Sequence, residues 1–272
     1  MQLRDAPVID VRPVLTEERA DLLGFLAGLT AEEWETPTAA PGWRVKDVAL
    51  HLLDDDLGWL SRGRDGDRSG RLADTGEYGD FVAALAAKNQ RFVDGTAGLS
   101  RRVIIDLLAW AGQQMDDYYA AMDLHGEGAV LWASSTTVPG WFDIAQDLTE
   151  RWVHQRQMRD AVGQPGPYAR RYLPLVLRTF VWAFPHQYAA SADVGTTVEL
   201  DLGSGGAWSL IRVEDRWELE EGSPAAPHAA LSTDADTAWR LLTGAAVPEG
   251  AIRMSGPAAL LKPLLTVRGI LV

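Results

Sequence analysis

Glu150 and His154 stand four residues apart in DLTERWVHQRQMRDAVG, a stretch that reads as helix, so both side chains leave one face a turn apart. That spacing lets one carboxylate oxygen and one imidazole nitrogen reach a single divalent ion. His51, much earlier in PGWRVKDVALHLLDDDLGWL, completes a set of three if its helix packs alongside. Two imidazoles and one carboxylate suit zinc or another first-row metal and leave a position for water or substrate, the mark of a catalytic rather than a structural site. His125, His186 and His228 compete for the same role, and spacing does not exclude them. An E-x-x-x-H pair also occurs in helices that bind nothing.

The elements that must position these residues are mostly helical. A first helix is predicted over about 16–27, with Thr16 as cap and Leu22, Leu23 and Leu26 as an apolar stripe. A short turn, 30–34, leads into the link PTAAPG, where Pro37, Pro41 and Gly42 break the chain. The second long helix, about 45–61, carries His51, with Val48, Leu52 and Trp59 near the histidine side. Asp55, one turn on, reads as a fourth ligand, an orienting carboxylate, or part of an Asp54-Asp55-Asp56 run; acidic runs usually face water, so a solvated run is expected. After the polar loop GRDGDRSGR come helices over about 78–95 and 100–122. AVLWASSTTVPGW reads as a lining segment, and a helix over about 142–162 carries Glu150 and His154 and stops at Gly163, its apolar pattern interrupted by Arg151, Arg156 and Arg159. Trp43, Trp59 and Trp152 lie close enough in sequence to wall a pocket. Long helices with short connections point to an antiparallel bundle, an architecture that builds metal sites from inward side chains.

Beyond a linker at 165–168, one apolar helix is expected over about 170–190. The texture then changes: TTVELDL, AWSLIRVED and RWELEE alternate like strands, LGSGG reads as a hairpin turn, and helices follow near 234–242 and 257–265 with IRMSG between. The division expected is 1–165 helical, 166–192 connecting helix, and 193–272 a small α+β domain. Arg240 and Arg268 of that domain suit a substrate carboxylate, although charge balance and packing are the commoner uses.

TPTAAPGWRVKDVALHLL resembles the N-terminal signature of the mycothiol-dependent maleylpyruvate isomerase family, within the wider group of DinB-like metal-binding helix bundles, and TERWVHQRQMRDAVG resembles that family's second signature. The resemblance covers the first ~165 residues in two islands, a hypothesis of the kind a motif match supports. It implies a DinB-like up-and-down four-helix bundle followed by a sterol-carrier-like α+β module. It also implies His51, Glu150 and His154 as metal ligands, zinc foremost, and mycothiol as thiol cosubstrate. The implied reaction is isomerisation by thiol addition, rotation and thiol expulsion, or S-transfer if the thiol stays on the product. A hydrolase using metal-activated water and a non-enzymatic binder of a small ligand are the rival classes.

Composition narrows the field further. Net charge is −13, which repels nucleic acid and anionic lipid, so neither is an expected partner. No apolar run approaches the ~18 residues of a membrane span, and the first residues lack a signal-peptide core, so a cytoplasmic protein, monomer or homodimer, is expected. Cysteine is absent, which removes disulfides and a protein thiol nucleophile: any sulfur chemistry must use a thiol from outside. No phosphate-binding Gly-rich loop, H-E-x-x-H or G-x-S-x-G is present, and Ser134-Ser135 has no identified base. No general acid or base can be named.

Overall fold

A computed structural model describes residues 1–70, 72, 78–130, 132–134, 136–166 and 168–270. Arg71 of the polar loop, Leu131 and Ser135 of the lining segment and Pro167 of the linker lie outside the described residues.

Helix α1 runs Arg12–Gly28, four residues earlier than the predicted cap at Thr16. Pro13 explains the start, since the first turn leaves backbone N–H groups unbonded anyway and proline has none to lose. Thr16 lies inside the helix, and its hydroxyl donates to Asp116 at 2.8 Å. Helix α2, Ala31–Trp34, is closed by a capping box: Thr30 Oγ1 accepts from Glu33 N while Glu33 accepts from Thr30 N. Helix α3, Val45–Trp59, begins where Asp47 accepts the Arg44 N–H at 3.0 Å, and it continues into a π-helical turn at Leu60–Arg64. Gly63 in that turn gives way to Tyr118, because a Cβ there would sit 2.5 Å from the phenolic oxygen. Helices α4, Tyr78–Thr96, and α5, Arg101–Ala121, follow. Helix α6, Gly140–Ala161, carries Glu150 and His154.

The chain forms two compact units, and the division falls inside α6. One comprises Arg12–Met122 and Arg151–Gly166; the other comprises Met1–Val11, Asp123–Glu150 and Pro167–Val272. In the first, α5 packs against α1 and α3, and α3 also packs on α4. Leu22, Leu26, Val48, Leu52, Ile104, Leu108 and Met158 fill the core. Charge is buried there too. Asp56 receives Arg19 at 2.8 Å and Arg151 at 3.3 Å, and Glu18 accepts from Gln155 at 2.8 Å. Of the interrupting arginines of α6, Arg151 thus has an interior partner, Arg156 pairs with the exposed Asp160 at 2.8 Å, and Arg159 lies over Phe25 and donates to Gln155 and to the Asp21 carbonyl. The expected solvated run is overturned. Asp54 and Asp56 are buried, Asp54 receiving Lys88 at 2.7 Å, and Asp55 is half-buried. Sequence position put three acids together, but helical rotation sends each to a different neighbour.

In the second unit, the single helix expected over 170–190 is three: α7 Tyr168–Arg171, α8 Leu173–Phe180 and α9 Ala183–Gln187. Pro174 and Pro185 explain the breaks, since each lacks an N–H and is tolerated in a first turn rather than a helix interior. A five-stranded sheet follows: β1 Thr197–Asp201, β2 Ala207–Val213, β3 Arg216–Glu221, β4 Ala229–Ser232 and β5 Arg253–Ser255. The order is β3-β2-β1-β4-β5, antiparallel except for the parallel pair β1–β4. LGSGG connects β1 to β2 as expected, through a 3-10 turn. Val198, Leu200, Leu210, Trp217, Leu219 and Leu231 bury one strand face. Helix α10, Ala235–Thr243, capped by Asp234, packs on α8, while α11, Ala258–Leu261, packs on β4. Arg240 pairs with Asp236 at 3.0 Å, and Arg268 donates to the carbonyls of Leu241, Leu265 and Val267. Both arginines serve the fold. No helix among the described residues is long and apolar enough to cross a membrane.

Candidate metal centre

From Trp141 to Met158 every residue of α6 is buried except Gln146 and Glu150, which are half-buried. A helix enclosed on all sides would normally be apolar throughout. This one buries Asp143, Asp147, Thr149, Arg151, His154, Gln155, Arg156 and Gln157. Polar side chains at that depth need partners, and several are supplied: Asp143 accepts the Ala129 and Val130 N–H groups, Arg151 meets Asp56, and Gln155 meets Glu18.

His51 on α3 meets this helix. Its ring lies 4.7 Å from that of His154, edge to face, and 5.0 Å from that of Trp43. One ligand atom each from His51, Glu150 and His154 falls within 4.8 Å of the others, the one such group of three among the described residues. Metal–ligand bonds of about 2.0–2.2 Å keep donors within about 4.4 Å of one another, so small side-chain rotations suffice to close on an ion. The set fits a divalent metal on a second count. His51 Nδ1 is buried with no hydrogen-bond partner, a cost that a ligand removes.

Burial holds the His51 ring well below the usual imidazole range, with the neighbouring His154 and the Lys88 ammonium adding to the effect. His51 is therefore neutral at pH 7 and has no proton to shed before coordinating. Glu150 accepts from Gln146 Nε2 at 3.0 Å, and its half-exposure contrasts with the two buried rings. His154 Nδ1 meets Gln157 Oε1 at 2.9 Å. Asp55 Oδ2 lies 3.4 Å from His51 Nε2 but does not join the converging group.

Of the three tryptophans expected to wall a pocket, Trp43 touches His51 and is held by its Nε1 donating to Gln90 at 2.8 Å, Trp152 is buried, and Trp59 lies under Arg62. The competing histidines are elsewhere: His125 is exposed, His186 is shifted to lower pKa by burial, and His228 Nδ1 accepts the Thr197 N–H at 3.1 Å. Reasoning from sequence missed Lys88 and Gln157. Only the i,i+3 spacing of Gln157 from His154 offered a signal.

Residues 15–159, more than half of the chain, match the mycothiol maleylpyruvate isomerase N-terminal domain. The chain belongs to that family. Uncharacterized proteins of two Mycobacterium tuberculosis strains, CDC 1551 and H37Rv, are each 29% identical to it over 203 residues, covering 72% of this chain and 74% of theirs. The crystal structure of the mycothiol-dependent maleylpyruvate isomerase shares the fold with a TM-score of 0.60 at 12% identity, over 94% of this chain and 95% of that one. A histidine-to-alanine mutant of that enzyme gives a TM-score of 0.57 over the same shares.

Proposed function

We propose that the protein is a cytoplasmic, metal-dependent enzyme that activates mycothiol, or a similar small thiol, for attack on a small electrophile, with isomerisation as the outcome. His51, Glu150 and His154 are read as the metal ligands, zinc as the metal, and the helical region as a DinB-like up-and-down bundle. The convergence of those three residues, in a member of this family that has no cysteine, carries the reading. A bound divalent ion supplies positive charge that lowers the pKa of a coordinating thiol.

The chain's own residues do the rest. His51 offers a neutral ring without proton release, Trp43 packs against that ring, and Glu150 leaves one side of the group reachable from solvent. The incoming sulfur adds to an electron-poor carbon of a conjugated double bond, and the electron pair moves to the attached carbonyl. Rotation about the resulting single bond and return of the pair then expel the thiolate and leave the other geometric isomer. For the domain boundary we propose 1–165 for metal binding, 166–192 as connection and 193–272 as a small α+β module.

The test is turnover of maleylpyruvate and other reactive electrophiles by the full chain, with and without mycothiol and zinc. Activity that requires both is expected, with substrate isomerised and thiol recovered. Thiol retained on the product points to S-transfer, turnover without thiol to metal-activated water, and thiol binding without turnover to a binding protein.

A further inference from the structure

His154 Nδ1 and Gln157 Oε1 are 2.9 Å apart, both side chains are buried, and the residues share one face of α6 three positions apart. An amide oxygen only accepts, so the ring nitrogen facing it carries the hydrogen. A neutral imidazole with hydrogen on Nδ1 keeps its lone pair on Nε2. We propose that Gln157 is a positioning residue: it holds His154 as the Nδ1–H tautomer and makes Nε2 the atom offered to the metal. The proposal rests on the metal reading above.

Two further observations bear on it. His51 Nδ1 has no hydrogen-bond partner, and Asp55 approaches its Nε2 only to 3.4 Å. His154 is therefore the ring set in place before an ion arrives, and His51 the one that adjusts. The acceptor is also uncharged. Two neutral imidazoles and one carboxylate leave a divalent ion with net positive charge, whereas a glutamate at position 157 would place a second anion beside the site. Gln157 orients the ligand without weakening the charge that acts on a thiol.

The test uses the full-length protein with its histidines labelled in nitrogen-15, metal-free at pH 8, and zinc affinity measured by competition with a chromophoric chelator. In the wild type, His154 is expected to show a protonated Nδ1 and a lone-pair Nε2. Gln157→Leu should mix the two tautomers and weaken zinc binding about 10–100-fold. Gln157→Glu, which keeps the acceptor, should retain the tautomer and bind zinc within a few-fold of wild type. A wild-type His154 protonated on Nε2, as when the amide NH2 faces the ring, overturns the proposal. So does a folded Gln157→Leu with unchanged tautomer and affinity, or a folded Gln157→Glu that has lost both. If the wild type binds no zinc, the metal reading fails, and the metal-free tautomer still decides what Gln157 does.

Discussion

His51 enters the folded state as a neutral ring, because burial, the adjacent His154 and the Lys88 ammonium all oppose its protonation. The unfolded chain meets no such opposition and takes up a proton near the ordinary imidazole value of about 6.5. Below that pH the unfolded state binds more protons than the native one, so stability rises with pH there and falls on acidification. The metal-free protein is expected to lose urea resistance between about pH 7 and pH 5, and His51→Leu to flatten the slope. Equal slopes in the two proteins would show that the ring's burial imposes no protonation penalty. The ligand assignment has its own check. Elemental analysis should find about one zinc per chain in the wild type and far less in His51→Ala, Glu150→Ala and His154→Ala; full metal in both histidine variants would sink it. Glu150 and His154 were legible in the sequence because glutamate and histidine at i,i+4 mark themselves, whereas His51 was singled out from the other histidines by the family resemblance. Gln157 and Lys88 were not, since an amide or an amine acquires its role only from what stands opposite, and Lys88 meets Asp54 across two helices.

Helix α6 shows how far apolar periodicity can be read. The long helices α1, α3, α4 and α5 lie close to where recurring Leu, Val and Phe predict them, because burying a stripe is what a helix on a core must do. In α6 the arginines blurred that stripe, yet the helix forms with charges turned inward. Asp56 holds Arg19 from α1 and Arg151 from α6, each of the three side chains at most 6% exposed. Removing the shared anion takes this carboxylate from the buried Arg19 guanidinium and one contact from Arg151, so Asp56→Ala should lower stability by about 3–5 kcal/mol in urea titrations. Asp54→Ala, whose Lys88 partner reaches solvent, should cost much less, on the order of 1 kcal/mol. Similar losses for the two would refute a special role for the triad. Gly112 belongs to the same arrangement: a Cβ there would lie 2.9 Å from the Arg19 side chain. Neither the triad nor this close approach is visible in sequence, because the partners lie on different helices. Strand β4 escaped notice for a related reason, as its four residues, AALS, carry too short an alternation.

At the scale of the whole molecule, 38 acidic residues suggested a solvated surface, yet Glu18, Asp47, Asp54, Asp56, Asp143 and Asp147 are buried. Composition counts charges without locating them. An ion bound only by the folded protein stabilises all of it, so chelator-treated protein should melt at a lower temperature and zinc should restore the loss. Zinc at a thousand times its Kd contributes about 4 kcal/mol, and magnesium, which demands six oxygen-rich positions, far less. A calorimetric Tm indifferent to zinc would separate the metal from the fold. Reading along the chain also yields contiguous segments, whereas the compact units are interleaved. Pairings such as the Leu219 N–H donating to the Met1 carbonyl leave no local trace.

That interleaving has a consequence during synthesis. Gln2 donates to the Trp217 carbonyl, 215 residues downstream. A ribosome adding about 5–20 residues per second needs roughly ten to forty seconds to cover that interval. The helical unit of Arg12–Met122 and Arg151–Gly166 is fully translated well before then. Throughout the wait Leu3, Ile9 and Val11, all buried in the finished protein, lack the C-terminal part of their compact unit. Residues translated early are thus among the last to be placed.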